Sequence, residues 1–493
     1  MVGADPRGTR SIATAAFEQA LASARTWTMQ LGDRRPAYDV RMLPERAAPD
    51  SSGRASLSGR ISEAGAALRN GRKSCRDLVE EALAAIERDS DRLGAFVEVL
   101  ANEARATADT LDAELRHGED RGALHGIPVS IKDVIDVAGA TTRAGSAAYH
   151  EVAIRDAASV ATLRKAGATI LGKTSTHEFA LGVTTPQARN PHDPSRIPGG
   201  SSGGSGIAVA TGMGLASLGT DTRASTRVPA ALCGVVGLKP TFGLLSTDGV
   251  VPLSWTMDHI GILAPSVEDA AIVFDALAGK ERRTAPSAGR SIKGLRLGVP
   301  DAALEETEPD VLSSFNDALE RLRSLDVQIS SSAKPDQLDF RNANAAGLVA
   351  SRCEAAAFHR SRGIDRDLLW AETRDQLDAA DNVLATDYID CQRFRGELRD
   401  RMLMLFEEYD VLAMPTTPVT APLVEHAEEY LLTLSRNAIP WSFLGFPALS
   451  VPSSTSSEQL PVGFQLVARP HAEEVLIMVG SRLFQLEPEG PPS

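Results

Sequence analysis

The sequence predicts an α/β fold, a single large domain whose mixed β-sheet is covered by helices on both faces. Two observations predict it. Short apolar runs alternate with amphipathic stretches of helical spacing through residues 74–174 and again beyond residue 295, the pattern of strands buried between helical layers. No internal repeat divides the chain, and 43% apolar against 24% charged residues over 493 positions provide for one large core.

The elements follow in order. Residues 11–31 have helical apolar spacing and residues 44–60 are rich in Pro, Ser, Gly and charge. Residues 1–60 are therefore expected to form a helix plus linker, a solvated leader rather than a functional arm, ahead of a main domain at 61–488. Ser74 reads as the N-cap of an amphipathic helix that places Leu78, Ala82, Leu83 and Ile86 on one face. Residues 95–100 read as a strand, 101–117 as an Ala-rich helix, 126–136 as a buried strand entering a loop, 160–167 as a helix and 169–172 as an apolar strand. A surface linker at 285–290 precedes a strand at 295–299. Residues 300–409 are expected to form a variable helical layer, interrupted at Val327-Gln-Ile-Ser330, before a strand at 410–415.

Charge and cysteine usage exclude several functions. The net charge of −14 argues against nonspecific binding to nucleic acid or to an anionic membrane. Cys75, Cys233, Cys353 and Cys391 are far apart, so neither a disulfide framework nor a zinc site is suggested. No cofactor and no metal are expected. The N-terminus has no apolar signal region, and Arg34-Arg35 leads into Pro and polar residues, so a cytoplasmic protein is expected.

The most informative stretch runs from Pro198 to Thr241. Residues 197–220 are 24 consecutive uncharged positions, yet eight are Gly and four are Ser, too polar for a membrane span. No Gly-Lys-Ser/Thr follows these glycines and no G-x-G-x-x-G register fits, so both nucleotide fingerprints fail. What remains is a backbone-dense loop at 199–205, an apolar helix at 206–214 and a second serine-bearing loop at 219–229.

This stretch resembles the amidase signature family of serine hydrolases, whose pattern reads roughly G-G-S-S-G-G-S, an apolar run, G-T-D-x-G-G-S-x-R-x-P-A and C-G-V-x-G-L-K-P-T. The likeness extends to Gly126-Ile-Pro-Val-Ser-Ile-Lys132-Asp, to residues 166–174 and 257–261, and to Gly445-Phe-Pro-Ala-Leu-Ser450. By motif position the resemblance implies Ser225 as nucleophile, Ser201 as bridging serine in a strained peptide, and Lys132 as general base. Backbone N–H groups of Thr222, Arg223 and Ala224 would form the oxyanion hole.

Each role also has a physical reason. Lys132 ends a predominantly apolar strand, where desolvation disfavours the charged amine. Ser201 sits among glycines that admit unusual backbone conformations. A serine hydroxyl needs an adjacent base and donors for the oxyanion. The bland readings of these residues are a snorkelling lysine and turn-forming serines. Asp221 and Arg227 read as a structural ion pair rather than as catalytic acid and substrate anchor. Ser202 and Ser205 read as loop-stabilising donors.

One departure stands out: Arg223-Ala224 occupies the place of the family's Gly-Gly. Arg223 either turns into the pocket, narrowing it or offering its guanidinium to a polar or anionic substrate group, or it faces solvent. Trp255 and Trp441 are candidate pocket walls, with Phe443 and Phe446 nearby. Other constellations fail. Residues 167–174 match the letters of a P-loop but form the strand itself, no G-x-S-x-G elbow surrounds Ser225 to support a triad with Asp258 and His259, and Leu181 stands where a zinc motif after His177-Glu178 needs histidine.

The expected activity is hydrolysis of a carboxylic amide, with aryl esters and carbamates open to the same site. The partner is then a small-molecule amide, with a homodimer admitted. The alternatives are a glutamine-dependent amidotransferase component working with a partner, against which residues 250–259 argue weakly, and a non-catalytic binding relative.

Overall fold

The structure, a computed structural model, describes residues 12–28, 60–279, 284–333 and 337–485. Its strands are β1 (Phe96–Val99), β2 (Pro128–Lys132), β3 (Thr141–Thr142), β4 (Glu151–Val152), β5 (Thr169–Thr174), β6 (Ala216–Asp221), β7 (Val236–Lys239), β8 (His259–Ala264), β9 (Arg296–Pro300), β10 (Gln328–Ala333), β11 (Val411–Pro415), β12 (Ala448–Thr455) and β13 (Pro461–Val467). Eleven of them form one mixed sheet in the order β1-β5-β2-β6-β8-β7-β12-β13-β11-β9-β10, and β3 and β4 form a separate ribbon. The expected single α/β domain is the observed one.

The middle of the sheet positions the site. β2 lies parallel to β5 on one side, with a register shift between Val129 and Ile131, and to β6 on the other, so it is an interior strand of the sheet. Every residue of Pro-Val-Ser-Ile-Lys is buried, the lysine included. β6 then runs antiparallel to β8, which pairs with β7.

Local signals hold where they were strongest. Ser74 caps the helix Cys75–Leu93 by accepting from Asp77 N at 3.0 Å, and the Asp77 carboxylate accepts from Ser74 N at 2.8 Å. Leu78, Ala82, Leu83 and Ile86 are all buried on the inner face of that helix.

Three expectations change. The Gly-rich segment is helical from Gly203 to Ala210, three residues earlier and four residues shorter at its end than the apolar pattern suggested. Glycine weakens helices, but packing decides here: a Cβ on Gly204 would lie 2.5 Å from the Ala95 carbonyl oxygen and the Ser175 amide. The second serine loop narrows to residues 222–226, because β6 and the helix Arg227–Cys233 take its ends. Within the expected helical layer, the interruption at residue 327 becomes β10, an edge strand parallel to β9. The helices Pro309–Arg323, Gln337–Ser361, Ala371–Ala380 and Ala385–Glu408 make up the rest.

The N-terminal helix Ile12–Thr28 departs most from expectation. It packs on the helices Gln337–Ser361, Ala371–Ala380 and Ala385–Glu408, with Phe17 1% exposed and Ala20 and Ala24 buried. Arg25 Nη2 meets Asp387 Oδ2 at 2.6 Å. An apolar stripe on a solvated leader would stay wet; here it is folded away. The expected linker at 44–59 lies outside the described residues.

Phe17 is the apolar anchor of that helix, and a buried Phe→Ala change costs about 3–5 kcal/mol. Phe17→Ala is predicted to raise amide hydrogen exchange across residues 12–28 by at least about tenfold, since each 1.4 kcal/mol is a factor of ten. Unchanged exchange there would show that the helix is held by something else.

Candidate active site

Lys132 is fully buried at the carboxyl end of β2. Its Nζ donates to Ser201 Oγ at 2.6 Å and to Thr220 Oγ1 at 2.8 Å. Burial pushes the amine down to about 7, against the opposing pull of the Asp221 and Asp258 carboxylates. An amine at that value is neutral for much of the time near pH 7.

Ser201 lies in the loop before the helix Gly203–Ala210, and the Gly200–Ser201 peptide bond is cis, as the resemblance implies. A Cβ on Gly200 would fall 1.9 Å from the Thr184 carbonyl oxygen, so only glycine fits that approach. The loop is pinned on all sides. His177 N donates to Ser201 O at 3.2 Å, Gly203 N to Thr185 Oγ1 at 3.1 Å, and Ser202 Oγ to Thr220 O at 3.2 Å. Ser205 Oγ meets Thr174 Oγ1 at 2.9 Å. Ser202 and Ser205 thus hold the loop to the sheet.

Ser225 occupies the short connection between β6 and the helix Arg227–Cys233 and is 3% exposed. Ser202 N donates to Ser225 O at 3.2 Å, which ties the two serine loops together. Among the described residues the Ser225 hydroxyl has no hydrogen-bond partner, and neither do the backbone N–H groups of Arg223, Ala224 and Ser225. Buried N–H groups are nearly always satisfied, so three consecutive unbonded donors set this loop apart.

Behind this loop Asp221 and Arg227 form a fully buried pair, Arg227 Nε to Asp221 Oδ2 at 3.0 Å and Nη2 to Oδ1 at 3.0 Å. Arg227 also reaches the Ala438 carbonyl, Gln465 and Ser442, while Asp221 accepts from Ser442 and from Thr226 N. Burial alone would push the Asp221 carboxyl up, but Arg227, Lys239 and His259 together hold it at about 2. The pair is a brace that fixes the loop. His259 gives its Nδ1 to the Asp221 carbonyl at 2.9 Å and packs on Phe242.

Arg223 does not face solvent. It is 7% exposed and lines a cavity of about 240 Å³ together with Leu181, Val183, Leu348, Arg352 and Glu372. Ala16 of the N-terminal helix is part of the same wall. The aromatic candidates do not line it. Trp441 belongs to the core, fully buried, with its Nε1 donating to Met414 Sδ at 3.3 Å and its ring against Phe340 and Phe446. Phe443 and Phe446 are buried likewise, and Trp255 is a 54% exposed surface residue. Apolar bulk close to a motif has gone to packing.

The chain matches the family model described as Amidase over residues 77–477. It belongs to the amidase signature family. It is 35% identical over 450 residues to AtzE, a component of the 1-carboxybiuret hydrolase of Pseudomonas sp. (strain ADP), covering 84% of this chain and 96% of that one. It is also 34% identical to a component of the glutamyl-tRNA(Gln) amidotransferase of Synechococcus sp. (strain RCC307), covering 84% and 94%. A crystal structure of an amidase superposes with a TM-score of 0.78 at 34% identity, covering 86% of this chain and 98% of that one. Relatives in the amidase signature family therefore include both amidases and amidotransferase components.

Sequence reading of this family member missed Thr220, the second acceptor of Lys132, although it stands next to Asp221 in the quoted motif. It also missed Arg352 and Glu372, which come from the helical layer where no motif guides the eye. Asp258 entered only as a rejected triad member. In the structure it accepts from Thr222 Oγ1 at 2.6 Å and from the amides of Leu253 and Ser254, and burial, opposed by these donors, pushes its carboxyl up to about 7. Lys173, from the P-loop-like letters, pairs in the interior with Asp133 at 3.1 Å.

Removing one partner of a buried ion pair leaves the other charge uncompensated and typically costs about 3–5 kcal/mol. Asp221→Ala is predicted to lower the unfolding free energy by about that amount, read from denaturant midpoints at constant slope. A loss below about 1 kcal/mol, the range of exposed pairs, would contradict the brace.

Proposed function

We propose that this chain hydrolyses small carboxylic amides through a serine acyl-enzyme. The observation that carries the reading is the fully buried Lys132 amine, held near neutrality and 2.6 Å from Ser201 Oγ. With the amine neutral, the same contact runs in reverse and Ser201 donates to the nitrogen lone pair. Ser201 then accepts the proton of Ser225 as Ser225 Oγ bonds to the amide carbon. The carbonyl oxygen takes the negative charge and settles against the free N–H groups of the 222–225 loop, Thr222, Arg223 and Ala224 being the donors the resemblance implies. Collapse breaks the carbon–nitrogen bond, and the proton on Lys132 returns through Ser201 to the departing amine. Water, activated along the same relay, cleaves the ester and frees Ser225.

The unpartnered Ser225 hydroxyl is compatible with this scheme, because catalytic hydrogen bonds commonly tighten only when substrate arrives. Aryl esters and carbamates present the same acyl carbon and are expected substrates. A second reading rests on the relatives that are named as parts of larger enzymes: the chain would then act within a complex. Strong preference for glutamine and co-purification with a second protein would favour it. Turnover of simple amides by the isolated chain would favour the free-standing amidase.

Three outcomes are expected. Ser225→Ala abolishes labelling by a fluorophosphonate, while the parent chain is labelled at Ser225; labelling elsewhere would move the nucleophile. Lys132→Met lowers kcat by about 10⁴-fold or more, the scale seen when one member of a catalytic unit is removed. In the parent chain kcat/KM rises with pH to a plateau above about 7, since the neutral amine is the active form and is lost as pH falls through its pKa. A flat profile across that value would take Lys132 out of the base's role.

A further inference from the structure

The cavity beside the serine loop holds two buried guanidinium groups, of which Arg352 is balanced in part by the Glu372 carboxylate while Arg223 has no acidic neighbour acting on it. Arg352, 3% exposed, spends its Nε on Gln376 Oε1 at 2.7 Å and its Nη2 on the Leu181 carbonyl at 2.6 Å. Arg223, 7% exposed, has no side-chain hydrogen bond and no ion pair with any described residue, and its Nε is buried and unsatisfied. Burial and the neighbouring Arg352 both disfavour the charge on Arg223. A guanidinium nevertheless keeps its proton in proteins, so the charge stays and waits for a counter-ion.

The acidic residues of this cavity do not supply one. Glu372 is engaged with Gln376 Nε2 at 3.2 Å and with His177 at 3.7 Å, and its charge acts on Arg352 rather than on Arg223. Glu428 and Glu429 are exposed, and Glu429 accepts from His426. Leaving one buried charge unpaired is among the costlier things a fold can do, and such a group placed two residues before the proposed nucleophile is placed for a ligand. The planar fork of arginine matches a carboxylate in bidentate fashion. The remaining wall is aliphatic, from Leu181, Val183 and Leu348, which suits a short carbon spacer.

We propose that the substrate is a short amide that also carries a carboxylate, and that Arg223, with Arg352 behind it, binds that carboxylate while the amide reaches Ser225. This rests on the amidase reading above and names its substrate class. Arg223 thereby has a use that the glycine usual in this family cannot have. An anion in the cavity satisfies the free guanidinium and fixes the distance from carboxylate to amide carbon, so substrates are selected by spacer length as well as by charge.

The test compares succinamate with butyramide, two amides of similar size of which one bears the carboxylate. Kd is measured on the non-hydrolysing Ser225→Ala protein, and kcat/KM on the parent chain. Succinamate is expected to bind about tenfold more tightly or better, the size of one charge-assisted hydrogen bond. Arg223→Gln is expected to collapse the succinamate-to-butyramide ratio, in binding and in turnover, towards one, and Arg223→Lys to restore part of it. Equal binding of the two amides by the Ser225→Ala protein, or an Arg223→Gln protein that loses both alike and keeps the ratio, overturns the proposal. Failure of the amidase reading shows differently, as absence of fluorophosphonate labelling at Ser225 with the binding preference intact.

Discussion

A lysine amine shut inside the sheet without a counter-ion in contact is the constraint on which the site depends. Lys132 Nζ touches two hydroxyls, of Ser201 and Thr220, and no carboxylate among the described residues lies within ion-pairing distance. Burying a charge in this manner is expensive, and the group responds by giving up its proton more readily. The fold thus holds a readily deprotonated amine, and β2, flanked by β5 and β6, carries it into the interior.

The neighbouring segments follow from that requirement. The Ser201 loop must approach the amine and carry the Ser225 loop beside it, so its backbone must be thin, and Gly200 and Gly204 fit where any side chain would collide with the Thr184 carbonyl or the Ser175 amide. The Asp221–Arg227 pair then fixes the far side of the second loop and spends its charge on structure, reaching the carbonyl of Ala438 and the side chains of Gln465 and Ser442. Buried charges in one small region thus have separate duties: Asp221 and Arg227 satisfy each other, while Lys132 is left able to titrate.

The fold was largely legible in the sequence because its strongest signals are local. Period and capping found the helix Cys75–Leu93, and an apolar run bounded by glycines found β5. The start of the Gly-rich helix was misjudged because glycine's low helical propensity was overridden by close packing that no local pattern announces, and its end because Gly212 and Gly214 take positive φ and leave the helix. Likeness to the family's motifs brought Lys132, Ser201 and Ser225 to notice as candidates, and the fold places Lys132 against Ser201 and the Ser201 loop against the Ser225 loop. Arg352 and Glu372 were invisible because they reach the cavity from helices more than 100 residues away in sequence, where only the tertiary fold decides direction. Trp441 was misplaced for the opposite reason: a large aromatic beside a motif serves the core as readily as a pocket.

The helix Ile12–Thr28 lies outside the stretch that matches the family, yet it contributes Ala16 to the wall of the cavity that Arg223 lines. The boundary of that recess is thus shared between the common scaffold and a segment beyond it. A change in that appendage can therefore reshape the recess while Lys132, Ser201 and Ser225, all inside the matching stretch, stay untouched.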